Sequence, residues 1–271
     1  MPYIPFEDKQ LYYESYGEGS PLLLLNGIMM STASWKPFIL SLSCNFRLLL
    51  VDFLDQGKSS DMEEPYTQAV QVKAVLTLLD TLNLEKASVA GISYGGEVAL
   101  AFAAEHPERI ERLMLFNCGA RTTPLLRDIG RSWNKAAETQ DGLSYYLSTI
   151  PVIYSPEFYE AQEKWMESRQ ALLVPHFARE DVRSRLVRLT DSAEDYDVRD
   201  KLHKVNMPAL IVSSESDMLI PQSEQQYLAD RLPDAHYVLM KGCGHASMYE
   251  RPLLFTALIN GFALSAKPLD V

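Results

Sequence analysis

The residues of this chain best able to do chemistry are a serine, an aspartate and a histidine, in that order along the sequence. Gly91-Ile92-Ser93-Tyr94-Gly95 fits the pattern G-x-S-x-G, a sharp turn that presents a serine for nucleophilic attack when a strand precedes it and a helix follows. Both conditions are predicted here, from the apolar run Ala87–Ala90 and from the helical segment Tyr94–Glu105. Gly91 and Gly95 are the positions where a Cβ would obstruct the passing backbone. A glycine-rich turn carrying an idle serine is the alternative reading.

A serine hydroxyl needs a base to take its proton. Of the five histidines, His106, His176, His203 and His236 lie at element ends or in the helical middle of the chain. His245 follows the last strand in Lys241-Gly242-Cys243-Gly244-His245, where two glycines permit a loop that reaches across a sheet edge. That base in turn needs a carboxylate to hold its tautomer. Asp217 follows the strand Ala209–Ser213, and Glu215 is its nearest rival. After the strand Arg112–Phe116 the chain offers Asn117 and no acid. The order Ser93, Asp217, His245 is the one expected when the serine turn leads.

Acyl chemistry also requires donors for an oxyanion. The Tyr94 backbone N–H follows the nucleophile directly. A second donor, the Ile28 N–H, is predicted from the loop Asn26-Gly27-Ile28-Met29, with a plain strand-ending turn as the alternative. Met29 and Met30 are candidates for an apolar pocket or for simple packing. Cys243 stands near His245, but the turn supplies a serine, so a structural role is expected for the thiol.

These residues must be held by a scaffold, and the apolar pattern describes one. Tyr3–Phe6 and Leu11–Tyr16 read as a strand pair. Leu22–Leu25 and Arg47–Asp52 read as strands buried on both faces. Ser34–Leu42 is a short helix candidate, and a helix capped by Thr67 extends to Leu82. Toward the end, Ala209–Ser213, Glu224–Leu232, Tyr237–Met240 and Leu253–Ala263 alternate strand and helix. Such alternation predicts an α/β fold with a mostly parallel central sheet and an antiparallel N-terminal edge. Residues 1–120 and 205–271 form the core in this reading. Residues 121–204 are helical, rich in aromatics and close to neutral, with 13 basic and 14 acidic side chains, and read as a helical cap, or lid.

Composition narrows the partners. The 271 residues carry a formal charge of −11, which repels phosphate backbones and anionic lipid, so no nucleic acid and no membrane insertion are expected. No apolar run has the length of a membrane span, and the N-terminus lacks a signal peptide's basic and apolar regions. Three cysteines without metal-ligand spacing fit a reduced, cytoplasmic setting. No metal and no organic cofactor are implied.

Taken together, Tyr16-Gly17-Glu18-Gly19-Ser20-Pro21, Asn26-Gly27, Asp52 with Gly57-Lys58-Ser59, the turn at 91–95, Asp217 and Gly244-His245 resemble the α/β-hydrolase superfamily over essentially the whole chain. The resemblance implies an α/β-hydrolase fold with a Ser-Asp-His triad and a cap between the sixth and seventh strands. Two departures stand out: Asn26 where the family usually has histidine, and Asp55 where it usually has glycine. A shorter stretch, Leu25 to Ser34, resembles the 3-hydroxyacyl-carrier-protein acyltransferases that make rhamnolipid precursors. The expected activity is cleavage of a small or medium ester, thioester or related acyl bond in a small-molecule substrate. The alternatives are acyl transfer from a carrier protein, cofactor-free lyase or oxygenase chemistry, and ligand reception without turnover. For the carrier, the cluster Arg179, Arg183, Arg185 and Arg188 is a candidate docking patch, set against a solvated helix face with Glu180 and Asp181.

Overall fold

Leu22–Leu25 and Leu48–Val51 offer water no polar side chain on either face, and both lie at the centre of a sheet with every one of these residues at 1% exposure or less. The structure, a computed structural model, describes residues 2–265. In chain order it contains β1 (Tyr3–Phe6), β2 (Lys9–Tyr16), β3 (Pro21–Leu25), a 3₁₀ helix (Thr32–Phe38) running into α1 (Ile39–Ser43), β4 (Arg47–Val51), α2 (Ala69–Thr81), β5 (Ala87–Ile92), α3 (Tyr94–Glu105) and β6 (Ile110–Phe116). Five helices follow: α4 (Pro124–Glu138), α5 (Gly142–Thr149), α6 (Pro156–Ala161), α7 (Glu163–Phe177) and α8 (Glu180–Ser192). After a 3₁₀ turn (Arg199–Lys204) come β7 (Ala209–Ser214), α9 (Gln222–Ala229), β8 (Ala235–Met240), α10 (Ser247–Glu250) and α11 (Pro252–Leu264).

The eight strands lie in the order β1-β2-β4-β3-β5-β6-β7-β8. The β1–β2 and β2–β4 pairs are antiparallel and every other pair is parallel. This is the α/β sheet with an antiparallel N-terminal edge that the apolar pattern predicts. Parallel strands bring their carboxyl ends to one edge, and the loops that carry Ile28, Ser93, Asp217 and His245 all leave from it. Helices α2 and α3 cover one face of the sheet, while the 3₁₀ helix, α1 and α11 cover the other.

Two local details differ from the sequence reading. The expected helix Ser34–Leu42 is 3₁₀ over its first part, where Pro37 has no N–H to give to an α-helical ladder. Helix α2 starts at Ala69 with Gln68 rather than Thr67 at its N-cap. The Gln68 side chain is drawn instead to Glu97 in α3, its Nε2 donating at 2.7 Å.

Helices α4–α8 stand over the carboxyl edge with a core of their own, built from Trp133, Tyr145, Tyr154, Phe177 and Leu186 and completed from below by Leu219, Ile220 and Ala246. A single bridge between Arg121 and Asp197 joins the two ends of this segment. Leu202, in the 3₁₀ turn beyond it, belongs to the main core.

Of the four clustered arginines, Arg179 lies on a solvated face with Glu180 and Asp181, and the other three are engaged by the fold. Arg179 pairs with Asp181, and Arg183 is buried and donates to Phe177 O. Arg185 reaches Asp61 at 2.7 Å, and Arg188 grips Asp55, with Nη2 at 2.5 Å from Oδ1 and Nε at 3.1 Å from each oxygen. Helix α8 is therefore tied to the core loop after β4 by two ion pairs. Asp55, the acid in the usual glycine position, has a left-handed φ of 66° and a carboxylate with no exposed surface.

Removing one member of a buried pair leaves the other charge without compensation, at a cost of about 3–5 kcal/mol. Arg188→Met is expected to destabilise the protein at the lower end of that range, because Asp55 stays buried. Asp55→Gly should cost less, since it removes the buried charge and relieves the left-handed backbone. Denaturant midpoints of the two variants check the order, and Asp55→Gly proving the weaker protein would contradict it.

Candidate active site

Ser93 follows β5 at φ 53°, ψ −123°, and α3 begins at the next residue. That backbone conformation costs a serine on the order of 1–3 kcal/mol and persists only where packing enforces it. The enforcement is visible in the two glycines. A Cβ on Gly91 would lie 2.3 Å from Gly95 O, and a Cβ on Gly95 would lie 2.4 Å from Leu25 O. The Ser93 N–H also donates to Phe116 O at 2.9 Å, so the turn is fastened to the neighbouring strand end.

Asp217 and His245 meet as the spacing predicts. The Nδ1 edge of His245 faces the carboxylate, 2.9 Å from Oδ2 and 3.0 Å from Oδ1. A carboxylate only accepts, so Nδ1 carries the proton and Nε2 is left as the basic nitrogen. The Asp217 side chain is wholly buried, and its Oδ1 also accepts from the Leu219 and Ile220 amides at 2.9 Å. Glu215, the rival acid, is exposed and accepts from the Gly242 amide instead. Of the other histidines, His106 stacks on Phe102, His236 packs on Phe262, and His176 and His203 are exposed. Cys243 is fully buried, and burial pushes its thiol up to about 12, which leaves no thiolate near neutral pH.

Ser93, Tyr94, His245, Ile28, Met29 and Met30 all line one cavity of about 1250 Å³, counted with its open mouth, between the sheet edge and the helices above. The Ile28 amide has no hydrogen-bond partner among the described residues. Tyr94, first in its helix, has no intrahelical acceptor for its own. The loop bearing Ile28 is set by buried amides: Asn26 Nδ2 donates to Val51 O at 2.8 Å, Trp35 Nε1 donates to Asn26 Oδ1 at 2.6 Å, and Gln56 Nε2 donates to Gly27 O at 2.9 Å. Asn26, standing where the family usually has histidine, thus serves as a structural clamp.

Three residues of the site were not foreseen. Asn117, noted in the sequence only for lacking a charge, donates to Asp217 Oδ2 at 3.0 Å and accepts from Ser247 Oγ at 2.7 Å, which steadies the carboxylate from the β6 end. Glu250 accepts from the Gly244 amide at 3.0 Å and from Ser155 Oγ at 2.6 Å, joining the histidine loop to the helices above. Glu97 lies on the cavity wall at 4% exposure, and burial pushes its carboxyl up to about 8 against the opposing Gln68 hydrogen bond. A neutral Glu97 has an O–H to give, and the Oε1 of the same Gln68 amide is buried without another partner. No sequence signal marks any of the three, because each acts through contacts between distant segments.

The chain as a whole has known relatives. The sequence model of the alpha/beta hydrolase family matches residues 22–258. The chain is similar to proteins provisionally named carbamate hydrolase RutD, at 28% identity over 97% of this chain and 98% of the relative from Azorhizobium caulinodans, and at 29% over 93% and 95% for that from Caulobacter. Among solved structures it resembles MGS-M2, an alpha/beta hydrolase enzyme from a Medee basin deep-sea metagenome library, at 47% identity, TM-score 0.96 and 98% coverage of both chains. It also resembles the enol-lactonase of Burkholderia xenovorans LB400 at 27% identity and TM-score 0.87, over 97% of this chain and 100% of that one.

Two outcomes follow from the buried groups. In the unfolded chain Glu97 ionises near its ordinary 4.5, and in the folded chain near 8. The folded state therefore holds the extra proton between these values, and stability falls as pH rises from about 4.5 to 8. Glu97→Gln should remove that slope, leaving the variant more stable than wild type at pH 8.5, by on the order of a few kcal/mol, and comparable at pH 4. Parallel denaturation series check this, and coincident slopes would contradict it. Asn117→Ala should lower kcat about tenfold on any substrate turned over, with little change in KM, because a hydrogen bond to a charged group is lost away from the bound molecule. An unchanged kcat would deny Asn117 a part in positioning Asp217.

Proposed function

The chain belongs to the alpha/beta hydrolase family, and from that premise we propose that it is a serine hydrolase that opens a small or medium ester, thioester or related acyl bond through an acyl-enzyme. The observation that carries the proposal is that His245, paired with the buried Asp217, lines the same cavity as a serine held in a strained turn. Relatives named for carbamate and lactone hydrolysis act, by those names, on carbonyls of the same general class.

In the proposed cycle the Ser93 Oγ–H proton passes to His245 Nε2 as Oγ bonds to the substrate carbonyl carbon. The carbonyl electron pair moves to oxygen, where the Ile28 and Tyr94 amides and the N-terminus of α3 stabilise the charge. Collapse of this intermediate breaks the bond to the leaving group, which takes the proton from His245. Water then gives a proton to His245 and attacks the acyl carbon. The second collapse returns the proton to Ser93 and frees the acid. Asp217 stays ionised throughout and stabilises the imidazolium. Met29 and Met30 supply apolar contact for the acyl chain, and residues 121–204 act as the cap that keeps the reaction away from bulk water.

Intact-mass measurement after treatment with a fluorophosphonate tests the reading. Wild type is expected to gain one adduct and Ser93→Ala none. Ester hydrolysis by Ser93→Ala should fall by about 10³-fold or more, toward the residual rate left by oxyanion donors and binding. An unlabelled wild type that still hydrolyses esters would remove Ser93 as the nucleophile.

A further inference from the structure

Three arginines line the cavity, and two of them are neutralised: Arg127 and Arg131 share Glu194 at 3.8 and 2.7 Å. Arg169, on α7, has no carboxylate within ion-pair distance among the described residues. Its guanidinium carbon lies 4.8 Å from the Tyr249 ring centroid and 5.5 Å from that of Trp165, and its Nε is buried without a hydrogen-bond partner. Beside it are the phenols of Tyr154 and Tyr249, and the Tyr154 hydroxyl is also buried without a partner. The nearby acid, Glu250, is already committed to Ser155 and Gly244.

A buried cation with no carboxylate beside it, at one wall of a largely apolar cavity, is costly unless a ligand completes it. Packing on ring faces satisfies the faces of the guanidinium, and its N–H edge meets only the phenols of Tyr154 and Tyr249 with Nε unpartnered, an edge that matches a carboxylate. The place is close to the reacting groups, for Tyr249 is four residues beyond His245 and the Ala246 amide donates to Ile153 O, next to Tyr154. In a protein of net charge −11, the long-range field disfavours an anionic substrate, so recognition must come from a local cation.

We propose that Arg169, assisted by the Tyr154 hydroxyl, binds a substrate carboxylate, so that the substrate of this cavity is an ester, thioester or lactone carrying a free acid group. The inference rests on the serine-hydrolase reading for the bond that is cleaved, but not for the binding of the anion.

Matched esters test it in wild type: 4-nitrophenyl hemiglutarate places the acid on the acyl side, 3-carboxyphenyl valerate places it on the leaving group, and 4-nitrophenyl valerate and phenyl valerate are their neutral counterparts. One acidic ester is expected to exceed its neutral counterpart in kcat/KM by about tenfold or more, and the one that does so identifies the end that Arg169 holds. Arg169→Met should erase that preference, with a loss of about 10- to 100-fold on the acidic ester and less than about threefold on the neutral one. Arg169→Lys should recover part of it, and Arg169→Gln, which keeps the length and polarity, should not. Calorimetric titration with glutarate reads the anion site without turnover: binding to wild type that weakens about tenfold or more in Arg169→Gln supports the site even if no ester is cleaved. No acidic preference in wild type together with equal glutarate binding in wild type and variant would overturn the proposal.

Discussion

A close approach of two backbones, between the β3 end and the first turn of α3, governs the carboxyl edge of the sheet. Gly95 passes Leu25 O with no room for a Cβ, and Gly91 passes Gly95 O in the same way. That proximity forces Ser93 into its left-handed conformation, starts α3 at the following residue and brings the loop of Ile28 alongside. A wider turn would leave the serine side chain in the sheet and α3 without its free end at the cavity. The strain at one residue is small beside the core on both sides of the sheet that holds it in place.

The same edge explains how residues so far apart in sequence act together. Asp217 is held by two amides of its own loop, by Asn117 from the preceding strand in the sheet and by His245 from the following one. The histidine loop is clasped in turn by Glu250, and Gly244 fits against Ser155 where a Cβ would lie 2.5 Å from its nitrogen. Rigidity here comes from hydrogen bonds to charged or buried groups, whereas the space for a substrate is bounded by side chains of the helices above.

Much of this was legible in the sequence because it is written in local patterns. Unbroken leucine runs mark buried parallel strands, and α3 runs from Tyr94 to Glu105 as its pattern predicts. The pairing of Asp217 with His245 follows from each standing just past a strand. What could not be read depends on contacts between distant segments. Asn117 carries no charge and looks like an ordinary strand-ending residue, until β7 is placed beside it. Arg169 is one of thirteen basic residues in its segment, and only the geometry shows it without a carboxylate among the described residues. The α8 arginines looked like a cluster in sequence but face separate partners, since a helix turns successive side chains to different sides. Thr67 has the better capping propensity, yet α2 starts behind Gln68, whose side chain donates to Glu97 across the packed segments.

The Asp55–Arg188 pair also constrains the order in which its two residues can change. An arginine at 188 facing glycine at 55 would keep access to water, as its side chain does even now at 21% exposure. An aspartate at 55 without that arginine would be a bare charge on a left-handed residue, with none of its surface open to solvent. One order of substitution therefore crosses a tolerable intermediate and the other crosses an unstable one. The tie between helix and core is thus also a ratchet: once both residues are in place, arginine is the harder of the two to lose, and the return to glycine is easiest through position 55 first.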